Sequence, residues 1–474
     1  MRPDLRPARS LDCERRSRRA VSFALTIAGL AAPAAARADE PSYFSTQAAL
    51  TAGSTMAIDR TGGAAWINPA GLADTGLARV DLSATAFVLR VRDYSRVIVS
   101  TLPSGTRTLD TNRIEITPVP AALVFARKLG PRATAALGVF VTEADSYDLA
   151  GGFDSTERFP GEAHPTRVSG RAQLSLIKQT YRIGPAIGLA LSPRLRVGAG
   201  AYVIYASSRD SSNLTLDGQD EDGTATPSVV SIHAITQRRN TWFGGQLVAG
   251  VQWNPWQELH VGLTVRSPVL GFASTGRVYQ STALLSSGAA FPGQSTTYLA
   301  DEPPVSAERR MIEPLALTAG LAYRFHGAAI GIEGDMRLPV KVEAFDVDDR
   351  LQGNVRVGGQ IDLSPRLRLG GGFFTDRSPT RQATTTGSSR TDYFGATAAL
   401  SLDSVYALAG PKPERNLSFL TVLSLRYAIG LSQLTALDYA PREATLAELS
   451  HLVPATRSGT FHTLAAQVSS SVSF

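Results

Sequence analysis

Cysteine is all but missing: the 474 residues contain one, Cys13, and it lies in the first 38. Disulfides and thiolate metal centres are therefore excluded from everything downstream. After residue 38 no apolar run is long enough to cross a bilayer as a helix. The six histidines stand apart at 164, 233, 260, 326, 451 and 462, and neither GxSxG nor HExxH occurs. No enzymatic activity, metal or cofactor is expected. The acidic stretch Asp217–Gly223 (DGQDEDG) begins like a calcium loop, but its first ligand is out of register and no Glu stands at the twelfth position. It reads as a solvated acidic tip. A basic stripe is also lacking, which argues against nucleic acid as a partner.

The apparent basic excess belongs to the N-terminus. Residues 1–38 hold 8 Lys/Arg and 3 Asp/Glu, a net of +5 out of the chain's +6, which leaves +1 for the rest. Arg15, Arg16, Arg18 and Arg19 precede an apolar stretch, Ala20–Leu30, and Ala36-Arg37-Ala38 fits a small-x-small cleavage site. This is the pattern of a secretory signal peptide. A long exported chain with no spanning helix is either soluble all-β or a membrane β-barrel, since only helices and closed barrels cross lipid.

Period-2 alternation fills the chain after residue 77. Fourteen candidate strands are expected at 78–100, 113–129, 131–145, 170–192, 194–209, 232–254, 258–268, 305–326, 327–342, 350–364, 366–378, 389–403, 416–432 and 459–474. Short connections fall at Gly130, Pro193, Pro255, His326-Gly327 and Pro365. Longer ones fall at 101–112, 146–169, 210–231, 269–304 and 433–458, while 343–349 (short) and 404–415 (long) break the alternation. An even strand count with short turns at one rim and long loops at the other suits an outer-membrane barrel. Leu191–Gly200 (LSPRLRVGAG) recurs at Leu363–Gly372 (LSPRLRLGGG) and, loosely, at Trp253–Leu263 (WNPWQELHVGL). Each copy is a strand end, a proline turn and a new strand with glycine on one face. In 350–364, Val355, Val357, Ile361 and Leu363 oppose Asn354, Arg356, Gln360 and Asp362. Such a pattern fits a soluble sandwich with its polar face outward or a membrane barrel with its polar face in the lumen. The signal peptide, the absent disulfides and the C-terminal Phe474 favour the barrel.

One stretch does not alternate. Thr61–Leu72 (TGGAAWINPAGL) is small, apolar and glycine-rich. Gly62, Gly63, Ala64 and Ala65 allow close backbone approach, and Pro69 fixes its own φ while extending Asn68. Such a segment can thread a narrow lumen as a plug. Asn68-Pro69-Ala70-Gly71-Leu72 resembles the NPAGL signature of the FadL/TodX family of outer-membrane transporters for long-chain fatty acids and aromatic hydrocarbons. Gly53–Asp59 (GSTMAID), Gly262–Pro268 (GLTVRSP) and Leu369–Pro379 (LGGGFFTDRSP) are similar to further stretches of that family. The terminal strand ending in Phe474 resembles the signal read by the barrel-assembly machinery.

The resemblance implies a 14-stranded transmembrane barrel with an N-terminal hatch. Residues 1–38 would be the signal peptide, 39–77 the plug and 78–474 the barrel. It implies passive uptake of a hydrophobic small molecule across the outer membrane of a Gram-negative bacterium, by a monomer bathed in outer-membrane lipid. The alternative is a structural or adhesive barrel that transports nothing. The plug motif comprises Gly62, Gly63, Asn68, Pro69, Ala70 and Gly71. By alternation the lumen carries Arg266, Arg324, Arg356 and Arg426, which could hold a carboxylate or could pair with wall carboxylates to fix the plug. By order, 210–231 and 269–304 correspond to the family's substrate-capturing loops, the second with Leu270, Phe272, Leu284, Leu285 and Phe291.

Overall fold

A computed structural model describes residues 43–75, 78–102, 104–158, 164–220, 229–287, 298–305, 312–342, 347–380, 389–407, 416–439 and 452–473. The expected signal peptide and Phe474 lie outside them.

The strands in chain order are β1 (Ala78–Leu102), β2 (Gly105–Gly130), β3 (Ala133–Glu157), β4 (Thr166–Ala190), β5 (Leu195–Asp220), β6 (Val229–Trp253), β7 (Leu259–Arg266), β8 (Leu270–Ser287) and β9 (Tyr298–Val305). There follow β10 (Ala316–Phe325), β11 (Ala328–Arg337), β12 (Val340–Val342), β13 (Val347–Asp349), β14 (Gln352–Ser364), β15 (Leu367–Asp376), β16 (Ser389–Ala407), β17 (Asn416–Tyr439) and β18 (Leu452–Ser473). Fourteen of them pair antiparallel in sequence order, and the ring closes between β1 and β18, from Arg79↔Ser473 to Tyr94↔Gly459. All fourteen correspond to expected strands, but the one expected at 305–326 begins only at Ala316, residues 312–315 are not strand, and Val305 ends the separate β9. The other four are accessory. β8 and β9 continue the wall above the short β7, with β8 taking up the part of β6 that β7 leaves bare. β12 and β13 form a hairpin within the β11–β14 connection.

The side chains decide which way the alternation faces. Outward lie Leu123, Ile183, Leu247, Ile332, Val357 and Leu425, all partly or largely exposed. Inward lie Gln252, Thr264, Thr318, Glu333, Ser401 and Ser469, each at most 4 % exposed. In water, so large an apolar surface would be an aggregation liability. Against lipid it is the stable arrangement, and the chain is a transmembrane barrel.

The longer connections differ from expectation. At 101–112, 146–169 and 210–231 the strands run on, so that β3 reaches Glu157, β4 starts at Thr166 and β5 reaches Asp220. Residues 270–287 are a strand as well. In these stretches apolar residues give way to polar ones. Beyond the bilayer a strand needs only its backbone ladder, so the lost alternation marks the end of the membrane rather than the end of the strand. Asp217–Asp220 belong to β5; Phe291 and 221–223 lie outside the described residues.

The short turns repeat one device. Ser192 Oγ accepts from the N–H groups of Arg194 (3.2 Å) and Leu195 (3.0 Å). Ser364 Oγ accepts from Arg366 (3.3 Å) and Leu367 (3.1 Å) in the same way. This is the physical content of the repeated LSPRLR sequence: a side-chain oxygen replaces a missing backbone partner across the proline.

Residues 43–75 fill the short-turn half of the lumen with two short helices, α1 (Thr46–Leu50) and α2 (Ala64–Ile67), and a 3₁₀ turn, Pro69–Asp74. Ser45 caps α1 by accepting from Ala48 N–H at 2.9 Å. The buried Asp59 accepts from Ser45 Oγ (2.8 Å), Thr61 N–H (2.9 Å) and Thr61 Oγ1 (2.7 Å), tying the two halves of the plug together.

Candidate functional site

The plug is seated by a track of wall glycines. Gly188 and Gly198 face each other across β4 and β5, Gly198 faces Gly250 on β6, and Gly262 faces Gly320 across β7 and β10. Gly331, Gly358 and Gly372 continue the track across β11, β14 and β15. A β-carbon at Gly198 would run into the main chain of Pro69 and Ala70, at Gly262 into Met56, and at Gly358 into Thr51. The first glycine of each copy of the repeat (Gly198, Gly262 and Gly370) is thus a place where plug backbone lies on wall backbone.

The motif residues all have definite work. Asn68 Nδ2 donates to the carbonyls of Met56 (3.0 Å) and Val251 (3.1 Å), while its Oδ1 accepts from Ala70 N–H (3.2 Å) and caps the 3₁₀ turn. Pro69 opens that turn, where a missing N–H costs nothing. Ala70 is fully buried, and Gly71 lies against the carbonyl of Asp59. Gly62 N–H donates to the carboxylate of Asp81 on β1, and Gly63 precedes α2 in contact with Phe44 and Ser45.

Above the plug is a cavity of about 180 Å³ lined by plug, wall and the segment 312–315. Arg266 and Arg356 reach it; Arg324 and Arg426 are not among its lining residues. Arg356 Nη1 pairs with Glu333 (3.0 Å) and Asp335 (2.9 Å). Glu333 in turn accepts from the N–H groups of Thr55 (3.0 Å) and Met56 (2.9 Å) in the plug. Arg266 donates to the carbonyls of Trp66 (3.3 Å) and Ile67 (3.4 Å). Arg426 lies over the ring of Phe374, 4.2 Å from its centroid. Arg324 sits near the short-turn rim, where it faces Arg60 and Arg196, and the latter two bind Asp74 at 3.2 and 2.7 Å.

Sequence reasoning missed Arg182, Glu313 and the aromatic residues at the cavity floor. Trp66 packs edge-on to Tyr202 at 5.2 Å and lies 6.2 Å from Phe140, which meets Phe44 edge-on at 5.9 Å. The guanidiniums of Arg182 and Arg266 each lie 4.9 Å from the Trp66 ring. Arg182 shares the inward parity of Gly184 and Gly188, a signal that was there to read. Glu313 belongs to no strand and had none.

The wall is interrupted beside the cavity. The β2–β3 ladder runs from Gly130↔Ala133 to Ala122↔Phe140 and stops, although both strands continue for many residues. Pro118 and Pro120, which have no N–H to offer a neighbour, stand on β2 where it stops. On β3 a bulge follows between Val141 and Glu143. The strand then turns inward, so that Ala144 packs on Val88 of β1 and Ala465 of β18. Further up, Ser104 in the β1–β2 turn donates to Glu157 through N–H (2.8 Å) and Oγ (2.7 Å), which closes the opening above. Thr142, in the bulge, lines the cavity. Pro69 and Ala70 lie away from this interruption, on β4 and β5, with the Pro69 ring also against Gly250 of β6.

No protein-family profile matches the sequence, and no curated protein sequence matches it. Solved structures do. A Pseudomonas aeruginosa FadL homologue superposes with a TM-score of 0.55 at 13 % identity, over 91 % of this chain and 99 % of that one. The Pseudomonas putida toluene transporter TodX gives 0.52 at 14 %, over 92 % and 99 %. At such identities the likeness is one of architecture, and the architecture of this chain is that of the FadL-type barrels: fourteen antiparallel strands closed around an N-terminal plug.

Proposed function

We propose that this protein is a channel in the outer membrane of a Gram-negative bacterium, admitting hydrophobic small molecules by diffusion. The observation that carries the reading is the cavity above the plug, whose wall at Thr142 adjoins the β2–β3 interruption. A molecule entering from the long-strand rim can reach the cavity and leave sideways into lipid without displacing the plug. No cofactor and no chemical step is needed, and the protein is not an enzyme. Residues 1–38 direct export, the terminal strand with Phe474 engages the barrel-assembly machinery, and the monomer is the working unit.

The charges favour an uncharged solute. Arg182, Arg266, Arg337 and Arg356 line the cavity together with Glu313, Glu333, Asp335 and Asp376, four cations against four carboxylates. A fatty-acid carboxylate would add a negative charge to a charge-balanced buried site, and an uncompensated charge there is costly. Aromatic hydrocarbons avoid that cost, and TodX, of similar architecture, is a toluene transporter. The test is uptake of labelled toluene and labelled oleate by cells with and without the gene. Faster toluene uptake with the gene supports the reading. Equal uptake of both compounds would leave the non-transporting structural barrel as the better description.

A further inference from the structure

Arg182 is a buried cation, 5 % exposed, that lines the cavity. Its Nη2 donates to both carboxylate oxygens of Glu313 at 2.6 Å. Glu313 sits in residues 312–315, which lead into β10 and border the cavity. Its Nη1 donates to Thr142 Oγ1, in the β3 bulge at the edge of the wall interruption. Its Nε donates to Gln246 on β6 at 3.3 Å, and Gln246 Nε2 is fixed by the carbonyl of Ser267 at 2.9 Å. Its guanidinium approaches the ring of plug residue Trp66. One side chain therefore joins residues 312–315, the wall and the plug across the line between cavity and opening.

We propose that Arg182 is the latch of the lateral path, and that Glu313 sets it. The proposal rests on the channel reading above. With Glu313 in place, the guanidinium is held against Thr142 and Trp66, and the cavity is shut off from the interruption. When a solute entering past Glu313 shifts residues 312–315, the carboxylate moves with them and remains the strongest of Arg182's partners. The guanidinium then has reason to follow the carboxylate rather than stay buried without it. Thr142 and Trp66 are released together, and the cavity opens towards lipid. Arg182 binds no solute in this scheme; it is a positioning residue, and its charge is satisfied in both states by Glu313.

The test reads the latch apart from transport. In a purified, refolded protein carrying Trp242→Phe, Trp253→Phe and Trp256→Phe, Trp66 is the remaining tryptophan, and quenching of its fluorescence by acrylamide reports access to the cavity floor. Arg182→Gln and Glu313→Gln are each expected to raise the quenching constant severalfold, up to about tenfold for loss of a charge-assisted bond. Because Glu313 acts through Arg182, the double variant should match Arg182→Gln rather than multiply the two effects. Heat-modifiable migration on gels checks that each variant is folded. Unchanged quenching in folded variants, or independent effects that multiply in the double variant, would overturn the latch. Toluene uptake by the unsubstituted protein in liposomes is measured alongside. Its absence would refute the channel reading, whereas quenching alone decides whether Arg182 controls access.

Discussion

Asn68 of the plug reaches Val251 of β6 directly: its Nδ2 donates to the Val251 carbonyl at 3.1 Å while also holding Met56 within the plug. One amide joins the two halves of the plug to each other and to the wall. Replacing it by alanine removes one donor from each carbonyl, although Met56 keeps Gln252 Nε2 at 3.2 Å, and should cost about 0.5–1.5 kcal/mol per bond lost. Asn68→Ala should loosen the plug while leaving the barrel closed. Faster amide exchange over residues 53–72, with β6 unaffected, is the expected result. Asn68→Asp, which keeps the acceptor for Ala70 but loses the donor, should behave much like alanine.

The glycine track makes a sharper prediction. Gly198→Ala puts a methyl group where plug backbone lies, whereas a β-carbon at Gly130 has nothing within 4 Å. Gly198→Ala should unseat the plug and raise single-channel conductance to small ions in planar bilayers. Gly130→Ala should be silent in the same recording.

The carboxylate pair beside Arg356 can be tested by charge. Arg356→Met leaves Glu333 and Asp335 facing each other without their cation and should cost about 3–5 kcal/mol, as removal of one partner from a buried pair does. Adding Glu333→Gln and Asp335→Asn to the same chain should recover most of that loss. The temperature at which the gel band shifts from folded to unfolded migration measures both.

Two predictions concern the wall. Leu425 is half exposed on the outer face. Leu425→Arg should cost about 2–4 kcal/mol of stability in the bilayer if it lies near the midplane, measurable by urea titration in lipid vesicles. For topology, single cysteines at Ser192, in a short turn, and Asp154, on the β3 extension, should label differently in whole cells. An impermeant thiol reagent should modify only the second.

The barrel was legible because alternation is a local property of a strand. The fourteen strands, the short turns and the inward face of Arg266 and Arg356 all follow from parity. Parity cannot report distance across a lumen. Nothing in it distinguishes Arg266 and Arg356, which reach the cavity, from Arg324 near the rim and Arg426 over Phe374. The long connections were misjudged for a related reason: a strand standing in water has no apolar face to announce it. The stop in the β2–β3 ladder left a trace in Pro118 and Pro120, but the inward turn of β3 onto Val88 depends on partners far away in sequence.

The track of wall glycines has a further consequence. Where main chain rests on main chain, the fit depends on a vacancy rather than on a matched pair of side chains. No side chain marks these wall positions, yet they can hardly accept a single carbon. A mutational scan should therefore show the wall glycines of the track to be as intolerant of alanine as the buried plug residues are of larger side chains.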